Sequence, residues 1–443
     1  MQPHDKISAY VTVVCGQIRW KKAHARVAEE MKDHIADQRD SFVVKGMDEG
    51  EATDRAIAET GDAAMIGVQL DRVHRPKPQW GMLAATAVLL LLGLIVQNMI
   101  FGGEGTVGIP ARRLVFTVLG IVCMLGAYFV DYSILAKFPK TACLSVTALV
   151  IATIYFSPHI HGASLHPQHI ALMFPLVFAA LVFAARRKRY KGIVMCQLIY
   201  FAIACVLLAA PTKSGFWVFF ISAFALLIAA VWKNWFGVKK LSGFLSVTLP
   251  AAGFAIVLVA TAGSYVVDRF LSGIDPSRDP EGAGYMGAMI RSMIGGAKWL
   301  GQGHIPEQYT HTSIYAGDAF RADMLLTGLI SFYGWIAFAV VVAVLFFFVI
   351  RGFMLCHRQK SDLGFFVSFS VLMTLVLQAA LYVVNNLGFL LISPISLPLI
   401  SSGNAAMVIN LLLVGFMLSA FRAGGTLPGR PQGERRRGGR SLR

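Results

Sequence analysis

Asp323 stands immediately before the apolar run MLLTGLISFYG, and its carboxylate is the first group in this chain whose position suggests chemistry. An ionisable side chain at the threshold of a membrane helix is expensive to keep there, so it is a functional candidate by default. A plainer role is open too: a carboxylate beside a first helical turn can cap free N–H groups and is favoured by the helix dipole. The segment leading up to it, 264–323, carries Arg269, Arg278, Arg291, Lys298 and Arg321. It runs from VVDRFLSGIDPSRDPEGAGYM into the Gly-rich, amphipathic GAMIRSMIGGAKWLGQGH. A connection this long with no apolar span of its own is usually functional or disordered. The amphipathic part also reads as an interfacial helix, with Met289, Ile290, Met293, Ile294 and Trp299 turned to lipid.

A second group, His159, His161, His166 and His169, crowds one short loop. Its spacing permits a metal site, but no Cys, Asp or Glu accompanies it, so the expectation is of imidazoles titrating at the surface. The six cysteines show no CxxC spacing, and neither zinc nor a disulfide is expected.

What must hold these groups is a bundle of membrane spans. Of the 443 residues 56% are hydrophobic, above the roughly 45–50% of globular domains. Ten apolar segments of spanning character occupy 81–101, 114–133, 142–157, 168–185, 193–210, 215–232, 242–263, 324–350, 364–386 and 399–421. Lys137 and Lys140, the RRKRYK run at 186–191, Lys233, Lys239 and Lys240, and Arg351, Arg358 and Lys360 fall in alternate connections. The positive-inside rule makes those connections cytoplasmic, with both termini inside and 264–323 outside. Arg112 and Arg113 are the one outward pair that breaks the pattern. The net charge of +16 therefore reads as membrane topology, not as a nucleic-acid footprint. The tail, 422–443, interleaves Arg with Gly and offers no aromatic for stacking, so a disordered cytoplasmic tail is expected.

Residues 1–78 are polar and helical in pattern, with Val27, Met31, Ile35 and Phe42 at near-helical spacing. Asp48 and Glu51 resemble a capping box, and Gly61 a helix C-cap. This part resembles the helical prefix domain found ahead of permeases, joined to the rest by HRPKPQW. The first long apolar run begins only near Gly81, so no signal peptide is expected. No Walker loop, no GxGxxG after a strand and no HExxH helix occurs, which removes the machinery of an ATP-driven pump or a zinc protease.

The connection between the seventh and eighth spans holds Arg269, Asp275-Pro276, Asp279-Pro280, Gly284-Tyr285, Ser292, Gly295-Gly296, Gly301-Gln302-Gly303 and Asp323, with Gly334 beyond it. Near the end of the chain stand Asn386, Pro394, Leu397-Pro398, Ile400-Ser401 and Gly403. With the ten spans, these residues resemble the SEDS family (shape, elongation, division and sporulation; the FtsW, RodA and SpoVE group), which carries ten spans and a large loop between the seventh and eighth. Four places depart. Ser331 and Phe332 stand where the family has two glutamates, and Ser402-Gly403-Asn404 interrupts a GGSS-type motif. His169 and Leu172 replace a glutamate and a lysine, and Thr212-Lys213 replaces an aspartate-containing turn.

The resemblance implies an all-α, polytopic fold in the cytoplasmic membrane, with a small N-terminal helical domain. It implies a peptidoglycan glycosyltransferase that polymerises lipid II, the undecaprenyl-pyrophosphate-linked precursor, during growth, division or sporulation. Asp323 would serve as general base. Arg269, Arg278, Arg291, Lys298 and Arg321, with Ser401 and Gly403, would bind substrate, a divalent cation (Mg or Mn) being compatible with the pyrophosphate. A class B penicillin-binding transpeptidase is the partner it suggests. The departures suggest an alternative, a non-catalytic scaffold that binds the precursor or the transpeptidase. A flippase is a third reading, weakened by the few charges within the spans.

Overall fold

The computed structural model describes residues 3–74, 78–101, 111–156, 159–160, 163–210, 213–306, 323–393, 395–401 and 403–423. Its contacts divide the chain into two compact units, Met1–Pro78 and Gln79–Phe421.

The first unit is built from helices α1 (Pro3–Gly16), α2 (Lys21–Val44), α3 (Glu49–Thr60) and α4 (Ala63–His74). The spacing along α2 does its work: Val27, Ile35 and Phe42 are buried among Ile7, Val11, Ala52 and Ala56 or their neighbours. Asp48 caps α3 by accepting from the Gly50 N–H at 3.0 Å. That differs from the capping box expected, because the carboxylate turns to the nearer N–H and no reciprocal bond from Glu51 forms among the described residues. Gly61 closes α3 at φ +99°, a conformation that suits glycine.

The second unit is a multi-pass membrane bundle. Its helices are α5 (Trp80–Phe101), α6 (Ala111–Phe129), α7 (Ser133–Lys137), α8 (Pro139–Phe156), α9 (Leu165–Ala171) and α10 (Phe174–Ala185). Next come α11 (Arg189–Ala209), α12 (Lys213–Trp232), α13 (Lys240–Ala260), α14 (Ser264–Ile274) and α15 (Tyr285–Gly295). The last four are α16 (Leu325–Tyr333), α17 (Trp335–His357), α18 (Asp362–Asn386) and α19 (Asn404–Ala423). Among the described residues nine segments are long and apolar enough to cross a membrane, one of them (Pro167–Ala185) made of α9 and α10 together, and Arg113–Phe129 is a shorter apolar tenth. These fall on the ten segments expected. One short ribbon, His159–Ile160 paired antiparallel with Ala163–Ser164, is the only strand pairing among the described residues.

Burial sorts the spans. Only 11% of the Pro139–Phe156 span and 17% of the Lys240–Ala260 span is covered by protein, so their apolar faces are left to lipid. Helices α10, α12, α18 and α19 form the interior. There Phe174 and Phe178 meet Phe219 edge to face at 5.7 and 5.9 Å, and the Tyr200 hydroxyl donates to the Phe220 carbonyl at 3.1 Å. A buried hydroxyl with a partner avoids the desolvation cost of an unpaired one.

Two spans are broken at residues of positive φ, both at the end of the bundle where α5 closes and α6 begins. The eighth divides into α16 and α17 at Gly334, where φ is +92°. The tenth was expected to start at 399 but starts as a helix only at Asn404, because Leu397–Ser401 forms a turn with Leu399 at φ +63°. Side-chain bonds hold this end together: Gln97 to the Ile400 carbonyl at 2.6 Å, and Tyr333 to the Met99 carbonyl at 2.6 Å. Gln378 donates to the Ser396 carbonyl at 2.8 Å. Irregular backbone at membrane depth is tolerated where protein groups satisfy it, as they do here.

Candidate active site

Asp323 lies just ahead of α16, largely buried and flanked by Met324, which is 6% exposed. Its carboxylate makes no hydrogen bond or ion pair among the described residues. Burial alone pushes it up to about 6.

The capping role is overturned, and the reason lies on another helix. The first turn of α16 needs acceptors for its free N–H groups. The Leu325 N–H donates to the Tyr382 hydroxyl at 3.0 Å, and the Thr327 N–H donates to Asn386 Oδ1 at 3.0 Å. Asn386 also donates through Nδ2 to the Asp323 carbonyl at 2.9 Å, and the Thr327 hydroxyl donates to the Asn386 carbonyl at 3.0 Å. Tyr382 and Asn386 are four residues apart, hence one above the other on the same face of α18. They take over the duty a local Asp would otherwise perform. Asp323 is held by its backbone, while its carboxylate takes no structural bond among the described residues.

The other end of α16 is fastened by the long loop. The Gly301 and Gly303 N–H groups donate to the Tyr333 and Ser331 carbonyls at 3.1 and 2.9 Å. In return the Lys298 and Trp299 carbonyls accept from the Trp335 and Ile336 N–H groups, each at 3.1 Å. The loop thus satisfies the last carbonyls of one helix and the first donors of the next. Gly334 is required there twice over, by its φ and because a Cβ would lie 2.6 Å from the Trp299 carbonyl oxygen.

Helix α15 is not turned to lipid as its pattern suggested. Met289, Ile290 and Met293 are fully buried against Met324, with Leu390 beside them, because α15 packs on α16 instead. Trp299 alone of that set is exposed, at 77%.

The basic candidates sort by what already engages them. Arg291 donates from Nη2 to the Ile274 carbonyl at 2.6 Å and from Nε to the Gly388 carbonyl at 3.2 Å, and lies over the Phe389 ring. It ties α14 and α15 to the end of α18. Arg278 is an exposed partner of Asp275 at 3.9 Å. Asp275 itself is held below its ordinary range by bonds from the Ser277 hydroxyl and N–H, at 2.6 and 3.2 Å. Arg269 touches the Tyr265 hydroxyl at 3.3 Å, and Lys298 is exposed. Arg321 lies outside the described residues. Ser401 is buried and Gly403 half-buried; both face a crevice that also receives Arg113.

Sequence reasoning passed over Tyr382, Gln97 and Gln378, and quoted Asn386 only for its resemblance. The available signal was polar side chains inside apolar runs; that they reach a neighbouring span's backbone shows only in three dimensions. Of the departing positions, Ser331 is buried with its hydroxyl on the Thr327 carbonyl at 2.9 Å, and Leu172 is fully buried. Of the histidine loop, His161 lies outside the described residues. No group of three His, Cys, Asp or Glu gathers among the described residues. Among the described residues Asp323 offers a single anionic ligand, fewer than a divalent cation held by protein alone requires.

The family model FTSW_RODA_SPOVE, described as "Cell cycle protein", matches residues 79–423. A probable peptidoglycan glycosyltransferase FtsW from Aliivibrio salmonicida is 21% identical over 384 residues, covering 79% of this chain and 91% of that one. A protein of the same description from Geobacter sp. (strain M18) is 23% identical, with 70% and 85% covered. Among solved structures, a chain from a peptidoglycan synthase complex of polymerization and crosslinking aligns with a TM-score of 0.61 at 19% identity, covering 78% and 98%. The rod shape determining protein RodA of Thermus thermophilus aligns with a TM-score of 0.51 at 16% identity, covering 78% and 97%.

Proposed function

The chain belongs to the FtsW, RodA and SpoVE family, and from that premise we propose that it is a peptidoglycan glycosyltransferase polymerising lipid II with Asp323 as general base. One observation carries the reading: a largely buried carboxylate, raised to about 6, that neighbouring side chains have relieved of capping. A group so placed is ionised at neutral pH yet basic enough to take a proton.

In the reaction a sugar hydroxyl of one precursor attacks the anomeric carbon of another. The new C–O bond forms as the bond from that carbon to the pyrophosphate oxygen breaks. Its electron pair leaves with the pyrophosphate, and the hydroxyl proton passes to a carboxylate oxygen of Asp323. The lipid tail stays in the bilayer while the sugar reaches the end of α16. Arg269, Arg278 and Lys298, exposed on the loop, supply positive charge near the growing anion. A divalent cation bound to the pyrophosphate would neutralise charge on the leaving group. Arg291, engaged with two carbonyls, instead fixes the loop.

The alternating basic connections support placing both termini in the cytoplasm and the Asp323 end outside, in the cytoplasmic membrane. The synthase complex to which the fold is similar supports a class B penicillin-binding transpeptidase as partner. The protein then serves wall synthesis in growth, division or sporulation.

Purified protein incubated with lipid II tests the reading. Asp323→Asn is expected to lower glycan production by about 10²–10⁴-fold, the usual worth of a general base. Full polymerisation by the Asn variant would remove the mechanism. A wild-type protein that polymerises nothing, yet retains lipid II or a transpeptidase, would make this chain a scaffold.

A further inference from the structure

Arg113 is the only charged side chain among the buried described residues, at 6% exposure. It sits at the start of α6 and has no carboxylate partner among the described residues. Among the described residues its single bond runs from Nη2 to the Ile400 carbonyl at 3.2 Å, and its Nε has no partner there. That carbonyl is already served by Gln97 at the shorter distance of 2.6 Å. The bond therefore does not explain why a cation is kept there. A buried unpaired charge is strongly unfavourable and persists where something offsets it.

The surroundings are arranged as donors. One turn further on, Thr117 is 7% exposed and its buried hydroxyl is also without a partner among the described residues. Arg113 and Thr117 line a crevice against Ser401, Gly403 and Asn404, with about 150 Å³ of free space. Across it α19 begins: the first bond of that helix is Met407 N–H to the Gly403 carbonyl at 2.8 Å, so the N–H groups of Asn404, Ala405 and Ala406 precede the helical ladder. The N-termini of α6 and α19 both bring partial positive charge to this place. An unpaired guanidinium N–H, an unpaired hydroxyl and two helix N-termini ask for a ligand that is all acceptor. Among common ligands, phosphate oxygens meet that demand.

We propose that the crevice between α6 and α19 binds a phosphate group carried on a membrane lipid, with Arg113 as its anchor. The site lies at the level where a span begins, as a headgroup does, and at the same end of the bundle as Asp323. That the phosphate is the pyrophosphate of the polymerised precursor rests on the function proposed above; the anion site does not. The free space is divided into gaps narrower than a water molecule, so the crevice widens when the ligand enters.

The test uses the full chain in phospholipid-free detergent and measures binding without turnover. The probes are undecaprenyl pyrophosphate, undecaprenol, phosphatidylglycerol and inorganic pyrophosphate. Undecaprenyl pyrophosphate should bind wild type, and Arg113→Gln should weaken it by about tenfold or more, as loss of a charge-assisted bond does. Arg113→Lys should recover part of that loss, and Thr117→Val should weaken binding by about threefold, the loss of one ordinary hydrogen bond. These two variants carry the comparison if Arg113→Gln does not fold. Unchanged affinity in the Arg113 and Thr117 variants, or equal binding of undecaprenol, overturns the site. Equal binding of inorganic pyrophosphate overturns the lipid-borne ligand. Equal binding of phosphatidylglycerol overturns the link to the precursor. A wild-type chain that binds undecaprenyl pyrophosphate through Arg113 but polymerises nothing supports the site and overturns the proposed function.

Discussion

The eighth and tenth spans are both broken at the same end of the bundle, and the two breaks are managed in opposite senses. At the eighth, Tyr382 and Asn386 from α18 satisfy the free donors of α16, and the charged residue released is an acid, Asp323. At the tenth, Gln97 and Gln378 satisfy the free carbonyls of the 395–401 segment, and the charged residue left over is a cation, Arg113. Neutral amides and hydroxyls do the structural bonding in both places. A broken helix in a membrane thus need not consume its charged neighbours, provided other spans lend polar side chains.

The sharpest way to break the comparison is at Asn386, which serves backbone groups on both sides of Asp323. Asn386→Ala leaves the Thr327 N–H without its acceptor and frees the Asp323 backbone. Polymerisation should fall by at least tenfold, and stability by about 1–3 kcal/mol, the usual cost of a buried unsatisfied group. An Asn386→Ala protein with wild-type activity would mean that Asp323 needs no such clamp.

Titration of Asp323 gives an effect of similar order but opposite sign. Its native value, about 6, lies above the ordinary 3.8, so the folded state holds the proton more tightly than the unfolded. The stability this confers is present below 3.8 and lost as pH rises through 6. Asp323→Asn should therefore raise the unfolding temperature at pH 7.5, by the equivalent of about 2–3 kcal/mol, and lose that advantage near pH 4. The polymerisation rate of wild type should climb with pH to a plateau above about 6. An Asn variant less stable than wild type at pH 7.5 would restore a capping role to the carboxylate.

Gly334→Ala sharpens the mechanical side of the contrast. The new Cβ meets the Trp299 carbonyl oxygen at 2.6 Å and the residue must hold φ +92°, so a loss of about 1–3 kcal/mol in thermal stability is expected. The smallest effect belongs to Arg278→Gln, whose loss of an exposed pair with Asp275 should leave the unfolding temperature indistinguishable from wild type.

The spans themselves were legible because an apolar run of spanning length has few other stable fates. The α15 face was misread because amphipathicity records that one side is apolar, not whether lipid or α16 covers it. The tenth helix was begun too early because Leu399 and Ile400 continue the apolar composition while their backbone turns aside. Asp323 was legible as a candidate from its position alone. Its release from capping was not, since the residues responsible lie 57 and 59 positions beyond the N–H groups they serve, on a span whose polar side chains look out of place in one dimension.

The shortness of α16 bears on how this protein is made. Nine residues rise roughly 14 Å, under half of a hydrocarbon layer of about 30 Å. Neither of its ends is self-sufficient. The loop that closes one end is synthesised before it, but the side chains that close the other, Tyr382 and Asn386, emerge only with the ninth span. During biosynthesis α17 can enter the bilayer while α16 still lacks acceptors for its first turn. The setting of Asp323 is therefore among the last parts of the molecule to be completed, and a chain that has inserted is not yet a chain that has matured.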